Sequence, residues 1–169
     1  MSGIFIYADK PALCAELIGL AKELGQGSSV ISLNAAEAEQ IAQMGADKVF
    51  VLKGDSNWPE NYAQAMADLI QTEGADLLLV GATVRGRDLA AKIAAYLKCG
   101  LVGDASTIQK AGSGIETTRL MYGGAVVQTT VLEGFNVITV PAGKYEALAA
   151  GAATGEIINR EVKVDAQVT

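Results

Sequence analysis

Apolar residues recur with two different periods along about the first hundred residues, and the two periods alternate. Short apolar runs predict buried strands at residues 4–7, 29–33, 48–52 and 76–80. Apolar residues spaced by three, four and seven positions predict helices at residues 11–24, 35–44, 59–72 and 89–97. Strands that alternate with helices predict right-handed crossovers and a mainly parallel sheet.

The pattern changes after Asp104, where glycines separate short β-rich runs. Residues 116–122 and 125–131 flank Gly123 and Gly124 and predict a hairpin, and a further strand at residues 135–140 ends before Pro141. Residues 142–155 are rich in Ala and Gly and fit a loop, a short helix or a tether. Residues 156–164 predict a last edge strand. We therefore expect residues 1–169 to form a single domain.

Composition and charge exclude several classes of function. Half of the residues are hydrophobic, and 13 basic against 19 acidic residues give a net charge of −6. The basic residues are scattered, which argues against a nucleic-acid partner. No apolar run is long enough to cross a membrane and the first residues lack a signal-peptide pattern, so we expect no membrane partner and a cytoplasmic location. The chain has no histidine, which excludes a Ser-His-Asp triad and a His-based zinc site; we expect no catalytic residues and no metal.

The first candidate site follows the strand at residues 76–80, where a small-residue segment leads into a helix. Such a junction is the usual place for an α/β protein to hold an anion or a nucleotide. The spacing of the two glycines matches a P-loop, but Arg and Asp stand where that motif has Lys and Ser or Thr. A tight turn therefore explains the segment at least as well. The candidate contacts to a nucleotide or a partner are Gly81, Ala82, Thr83, Gly86, Arg87 and Asp88.

Two arginines in this segment need a reason, because cations near a helix N-terminus are mildly unfavourable. Either Arg85 and Arg87 pair with Asp88 or Asp104, or they meet an anionic ligand or a partner chain. We expect Asp88 itself to lie in the first turn of the following helix, where its charge complements the helix dipole.

A second candidate site is formed by Tyr122, Gly123 and Gly124, where glycines allow close approach of a ligand or another chain. Ordinary hairpin chemistry also explains them and is the favoured interpretation. The first strand–helix junction, residues 7–11, contains no glycine, so it lacks the fingerprint of a dinucleotide cradle.

Several ordered blocks closely resemble the electron-transfer flavoprotein alpha subunit family. The blocks are Gly81-Ala-Thr83, the Gly86-Arg-Asp-Leu89 start of an Ala-rich helix, Gly100-Leu-Val-Gly-Asp104, Arg119-Leu-Met-Tyr-Gly-Gly-Ala125 and Gly45-Ala-Asp-Lys-Val49. The resemblance extends over essentially the whole chain. It departs at Gly124, where the family has Asn, and at Pro141, where the family usually has Arg.

The resemblance implies an α/β fold. This fold is three-layered and Rossmann-like, of the adenine nucleotide alpha hydrolase-like type, and has a mostly parallel sheet with an added antiparallel β section. The family's second domain, which holds most of the FAD, is expected to be absent. We therefore expect that this chain alone holds no cofactor firmly and that a partner carries FAD. AMP is an alternative ligand, although in the family AMP belongs mainly to the beta subunit.

Two functions follow from the residues and the resemblance together. The first is a non-catalytic electron-transfer component related to the alpha subunit, which scaffolds a flavin-bearing partner; this partner is a beta-like subunit or a separate flavin domain. The alternative is a stand-alone adenine-nucleotide (AMP or ATP) binding module that forms a homodimer. Hydrolase activity is disfavoured because neither histidine nor a magnesium ligand set is evident.

Overall fold

A computed structural model describes residues 3–148 and 155–164, which form two sheets. In chain order the strands are β1 (Ile4–Tyr7), β2 (Ser28–Ser32), β3 (Lys48–Lys53), β4 (Leu77–Gly81), β5 (Gly100–Val102), β6 (Thr107–Ala111), β7 (Gly114–Met121), β8 (Val126–Leu132), β9 (Asn136–Val140) and β10 (Glu156–Glu161). Seven strands pair in the order β10-β3-β2-β1-β4-β9-β5, and every pair is parallel. The predicted parallel sheet is confirmed.

Helices cover both faces of this sheet. They are α1 (Pro11–Glu23), α2 (Ala38–Gln43), α3 (Ala63–Glu73) and α4 (Val84–Leu97), and short 3-10 turns at Ala35–Glu37 and Pro59–Tyr62 precede α2 and α3. One buried cluster joins one face of the sheet to Leu17 of α1 and Ile41 of α2; the other joins the opposite face to Met66 of α3 and Ile93 of α4. Alternate strand residues enter opposite clusters, as Ile4 and Phe5 do, because successive side chains point to opposite faces. The three-layer architecture is confirmed.

Strands β6, β7 and β8 form the small antiparallel sheet. A turn at Tyr122–Gly124 connects β7 to β8, with φ values of 53° at Tyr122, 66° at Gly123 and 93° at Gly124. Glycine adopts positive φ values without steric cost, which explains Gly123 and Gly124. The antiparallel pairing of β7 with β8 confirms the predicted hairpin. Strand β10 pairs beside β3 at the sheet edge, as expected. Residues 149–154 of the Ala/Gly-rich segment lie outside the described part of the chain.

The sequence did not predict the start of α4 or the place of β9 in the sheet. Helix α4 begins at Val84, whereas the pattern of charges and glycines suggested a loop as far as Arg87. Strand β9 pairs between β4 and β5, so the chain leaves the sheet after β5, forms the antiparallel section and returns to pair with both. In the described ranges, no helix is long and apolar enough to cross a membrane.

Candidate functional site

The carboxyl ends of β1 and β4 meet at the point where the strand order reverses direction. Strands β2 and β3 lie on one side of β1, whereas β4 and β9 lie on the other. In open α/β sheets ligands bind outside the carboxyl ends of the strands at such a point. Asp9, after β1, and Thr83, after β4, occupy it in this fold.

Thr83 links the two strand ends and starts helix α4. Its hydroxyl donates a hydrogen bond to Asp9 Oδ2 at 2.8 Å and accepts one from the Gly86 backbone nitrogen at 3.0 Å. The second bond is an N-cap, which satisfies one of the free N–H groups in the first turn. A carboxylate therefore lies at the reversal point beside the helix start, and its negative charge opposes a phosphate there.

Gly86 is required by the packing of α4 on β4. A β-carbon at this position would overlap the carbonyl oxygen of Gly81. Gly86 therefore lets α4 approach the end of β4, whereas a β-carbon at Gly81 would meet the Leu13 side chain of α1. Gly86 also lies inside α4 and not in a loop, which corrects the interpretation of this segment as a P-loop-like turn.

Arg87 pairs with Asp104 in a two-point contact. The guanidinium Nε and Nη2 donate to the two carboxylate oxygens at 2.9 and 3.0 Å. The hydrogen bond to Asp104 raises the pKa of Arg87. The Asp104 backbone nitrogen donates to Thr139 Oγ1 at 2.7 Å, and the Thr139 hydroxyl donates to Asp104 Oδ1 at 3.2 Å. Of the partners expected for Arg87, the structure selects Asp104.

Arg85 extends away from Arg87. Its guanidinium carbon lies 5.3 Å from the centroid of the Trp58 ring, and its Nε lies 3.7 Å from Glu60 Oε1. Asp88 contacts neither arginine: it lies in the second turn of α4 and pairs with Lys92 at 3.2 Å. This corrects the expectation that Asp88 lies in the first turn.

An open cleft of about 400 Å³ separates the carboxyl side of the parallel sheet from the hairpin. Asp104 and Thr139 line its floor next to Arg87, and Arg119 and Tyr122 line the hairpin side. The Arg119 Nε donates to Gln128 Oε1 at 2.8 Å, and no carboxylate of the described residues forms an ion pair with it. Among the described residues, the cleft therefore contains one arginine that is paired with a carboxylate and one that has no ion-pair partner.

The sequence-predicted residues separate into three groups. Arg87 and Tyr122 line the same cleft. Gly81, Ala82, Thr83 and Gly86 form the β4–α4 junction. Asp88, Gly123 and Gly124 are not among the residues that line the cleft. In the described ranges, no group of three His, Cys, Asp or Glu side chains is arranged to hold a metal ion.

Sequence reasoning missed Asp9, Arg119 and Thr139 as members of this region. Asp9 had a usable signal, because a polar residue within two positions of the end of a buried parallel strand lies at the binding edge of the sheet. Thr139 had none: it is 2% exposed and lies inside a strand whose place in the sheet does not follow from the pattern.

Comparison with known proteins finds similarity over most of the chain. Residues 11–165 match the family model of the electron transfer flavoprotein domain. The chain is 34% identical over 160 residues to Protein FixB of Shigella dysenteriae serotype 1 and of Escherichia coli O157:H7, with 92% of this chain and 51% of each relative covered. The value is 35% for Protein FixB of Escherichia coli strain 55989, with the same coverage.

Proposed function

Because this chain belongs to the electron transfer flavoprotein domain family, we propose that it acts as a non-catalytic, alpha-subunit-related component of an electron-transfer system. In this role it scaffolds a partner that carries the flavin, either a beta-like subunit or a separate flavin domain. The chain spans about half the length of the curated relatives it matches. A role in electron transfer is therefore attributed to this chain only as a proposal.

The observation that carries this proposal is the convergence of three of the five family-like blocks on one cleft. The blocks that contain Arg87 and Asp104 come from α4 and from the segment after β5, whereas Arg119 and Tyr122 come from the hairpin. Tyr122 is 79% exposed and Leu120, beside it, is 60% exposed. Arginine and tyrosine around an exposed apolar patch are typical of the centre of a protein–protein interface.

The chain's own residues fit a flavin dinucleotide poorly. The β1–α1 junction holds no glycine that would allow a pyrophosphate to approach the backbone. The Asp9 carboxylate occupies the strand reversal point instead, bonded to Thr83. Both features support placing FAD on the partner. They also disfavour the stand-alone AMP or ATP module, because the same carboxylate opposes a nucleotide phosphate.

Titration of an FAD-loaded beta-like subunit with this chain, followed by flavin fluorescence, tests the proposal. We expect saturable binding that the Arg119→Ala and Tyr122→Ala substitutions weaken by about tenfold or more, because interface anchors of these types dominate affinity. Arg160→Ala is the matched control: Arg160 is an exposed arginine on β10, and its loss should leave the affinity unchanged. Equal affinity for all variants would place the partner elsewhere.

Thermal unfolding with AMP, ATP and FAD tests the alternative function. A ligand present at a hundred times its Kd stabilises a protein by about 2.7 kcal/mol. The proposal predicts no shift for this chain alone. A shift with AMP that the Thr83→Ala substitution removes would favour the nucleotide-binding module instead.

A further inference from the structure

Strand β8 forms an open edge of the antiparallel sheet. In the described part of the chain it pairs with β7 alone. None of its seven residues is charged, and none is a proline. Charged residues and prolines are the usual means of blocking an edge strand. Val126, Val127 and Val131 are 47%, 59% and 56% exposed. The edge is therefore available to another strand.

The order of apolar and polar residues in β8 is nearly the same in both directions. An antiparallel pair of identical strands has a two-fold axis through one residue pair. With the axis at Thr129, Val126 lies opposite Leu132, Val127 opposite Val131, and Gln128 opposite Thr130. Each apolar residue then meets an apolar residue, and each polar residue meets a polar one.

Neighbouring registers lose this match. An axis at Gln128 places Val127 opposite Thr129, whereas an axis at Thr130 places Gln128 opposite Leu132. Since opposite side chains are the unit of sheet stabilisation, mismatched rows are disfavoured. The sequence of the strand therefore specifies one register.

The faces and the charge of the strand agree with this register. Leu120 lies opposite Val127 within one copy, and a two-fold axis perpendicular to the sheet leaves each face on the same side. Val131 of the second copy thus extends the exposed row formed by Leu120 and Val127. Each chain carries a net charge of −6, so two copies repel each other least where they meet through an uncharged strand.

We propose that β8 pairs in antiparallel fashion with β8 of a second copy about a two-fold axis at Thr129, which joins the two three-stranded sheets into one. The inference does not rest on the proposed electron-transfer function. A seven-residue strand is about 24 Å long, and with a sheet about 10 Å thick the edge buries roughly 240 Å² per copy. A standard interface buries about 800 Å² per partner, so the dimer is weak and depends on concentration.

Cysteine cross-linking tests the register in the full chain, with Cys99→Ala as background because Cys99 is half-buried and free. Thr129→Cys places the two thiols directly opposite each other, within the range of a disulfide. Gln128→Cys is the matched control, because its two copies are diagonal and too far apart. We expect a disulfide-linked dimer from Thr129→Cys and a monomer from Gln128→Cys. Equal yields from both variants would overturn the register.

Sedimentation at increasing concentration tests the dimer itself. Thr129→Lys and Thr129→Glu each place like charges on the axis, whereas their mixture places opposite charges there. We expect each variant alone to be monomeric and the mixture to dimerise at least about tenfold more tightly than either. Ala91→Lys, which adds the same charge on an exposed position of α4, should dimerise like the unchanged chain. A chain that stays monomeric at every concentration, or a mixture no tighter than its components, would refute the proposal whether or not a flavin-bearing partner binds.

Discussion

The contact between α4 and β4 predicts that Gly86→Ala destabilises the fold, although alanine is the better helix former. In an open helix the substitution would stabilise by up to about 1 kcal/mol. At Gly86 the added β-carbon overlaps the carbonyl oxygen of Gly81, the last residue of a strand buried along its whole length. The Ala82 nitrogen also donates to the Val140 carbonyl at 2.9 Å, so the strand end cannot move without loss elsewhere.

The expected net effect combines these two contributions. Overpacking a well-packed site costs about 1–3 kcal/mol and occasionally more, and a clash with backbone belongs at the upper end of that range. After the helix-propensity gain, we expect a net loss of about 2 kcal/mol in the free energy of unfolding, or a fall in Tm of about 4–8 °C for a domain of this size.

Urea denaturation and thermal unfolding by circular dichroism measure this loss. Gly103→Ala is the matched control, because the nearest atom to a β-carbon there is Arg119 Nη1 at 3.8 Å, an ordinary contact. We expect the control to change stability by less than about 0.5 kcal/mol. A Gly86→Ala protein that is as stable as the unchanged chain, or more stable, would refute the close packing of α4 on β4.

Three further results are expected. Thr83→Ala should cost about 1–2 kcal/mol in urea denaturation by removing the N-cap to Gly86, whereas Thr83→Ser, which keeps the hydroxyl, should retain most of the stability. Burial raises the pKa of Cys14 to about 12. The contribution of the neutral thiol to the free energy of unfolding is therefore complete below the unfolded pKa of about 8.5 and is lost as pH rises. About 2 kcal/mol of that free energy should disappear between about pH 8 and pH 10, and Cys14→Ala should flatten this part of the pH profile. Arg85→Gln should increase acrylamide quenching of Trp58, the single tryptophan, whereas Arg87→Gln should leave quenching unchanged.

The sequence predicted most of the parallel sheet because its strands are buried on both faces and are therefore continuously apolar. It misplaced the start of α4 because Gly86 and the charged residues after it resemble a loop locally. Tertiary packing decides this point: Thr83 caps the helix, and Gly86 fits where no side chain does. A threonine two positions after the strand, directly before the helix, was the signal that would have placed the helix start correctly.

The cleft was only partly predictable for a different reason. Arg87 lies on one side of the cleft, and Arg119 and Tyr122 of the hairpin lie on the other. The chain then returns as strand β9, which pairs between β4 and β5. Patterning gives the existence of a strand but not its neighbour, so the meeting of Arg87 with Arg119 and Tyr122 could not be derived. Single residues were recognised on each side, whereas their shared cleft required the fold.

Sedimentation velocity of this chain mixed with an FAD-loaded beta-like subunit, followed in the flavin absorption band, shows whether the chain binds a flavin-bearing partner. We expect no flavin absorbance for the chain purified alone. In the mixture, the flavin signal should sediment faster than for the loaded partner alone, and Arg119→Ala should reduce that shift. A flavin signal that sediments at the same rate with and without this chain would contradict the proposed role.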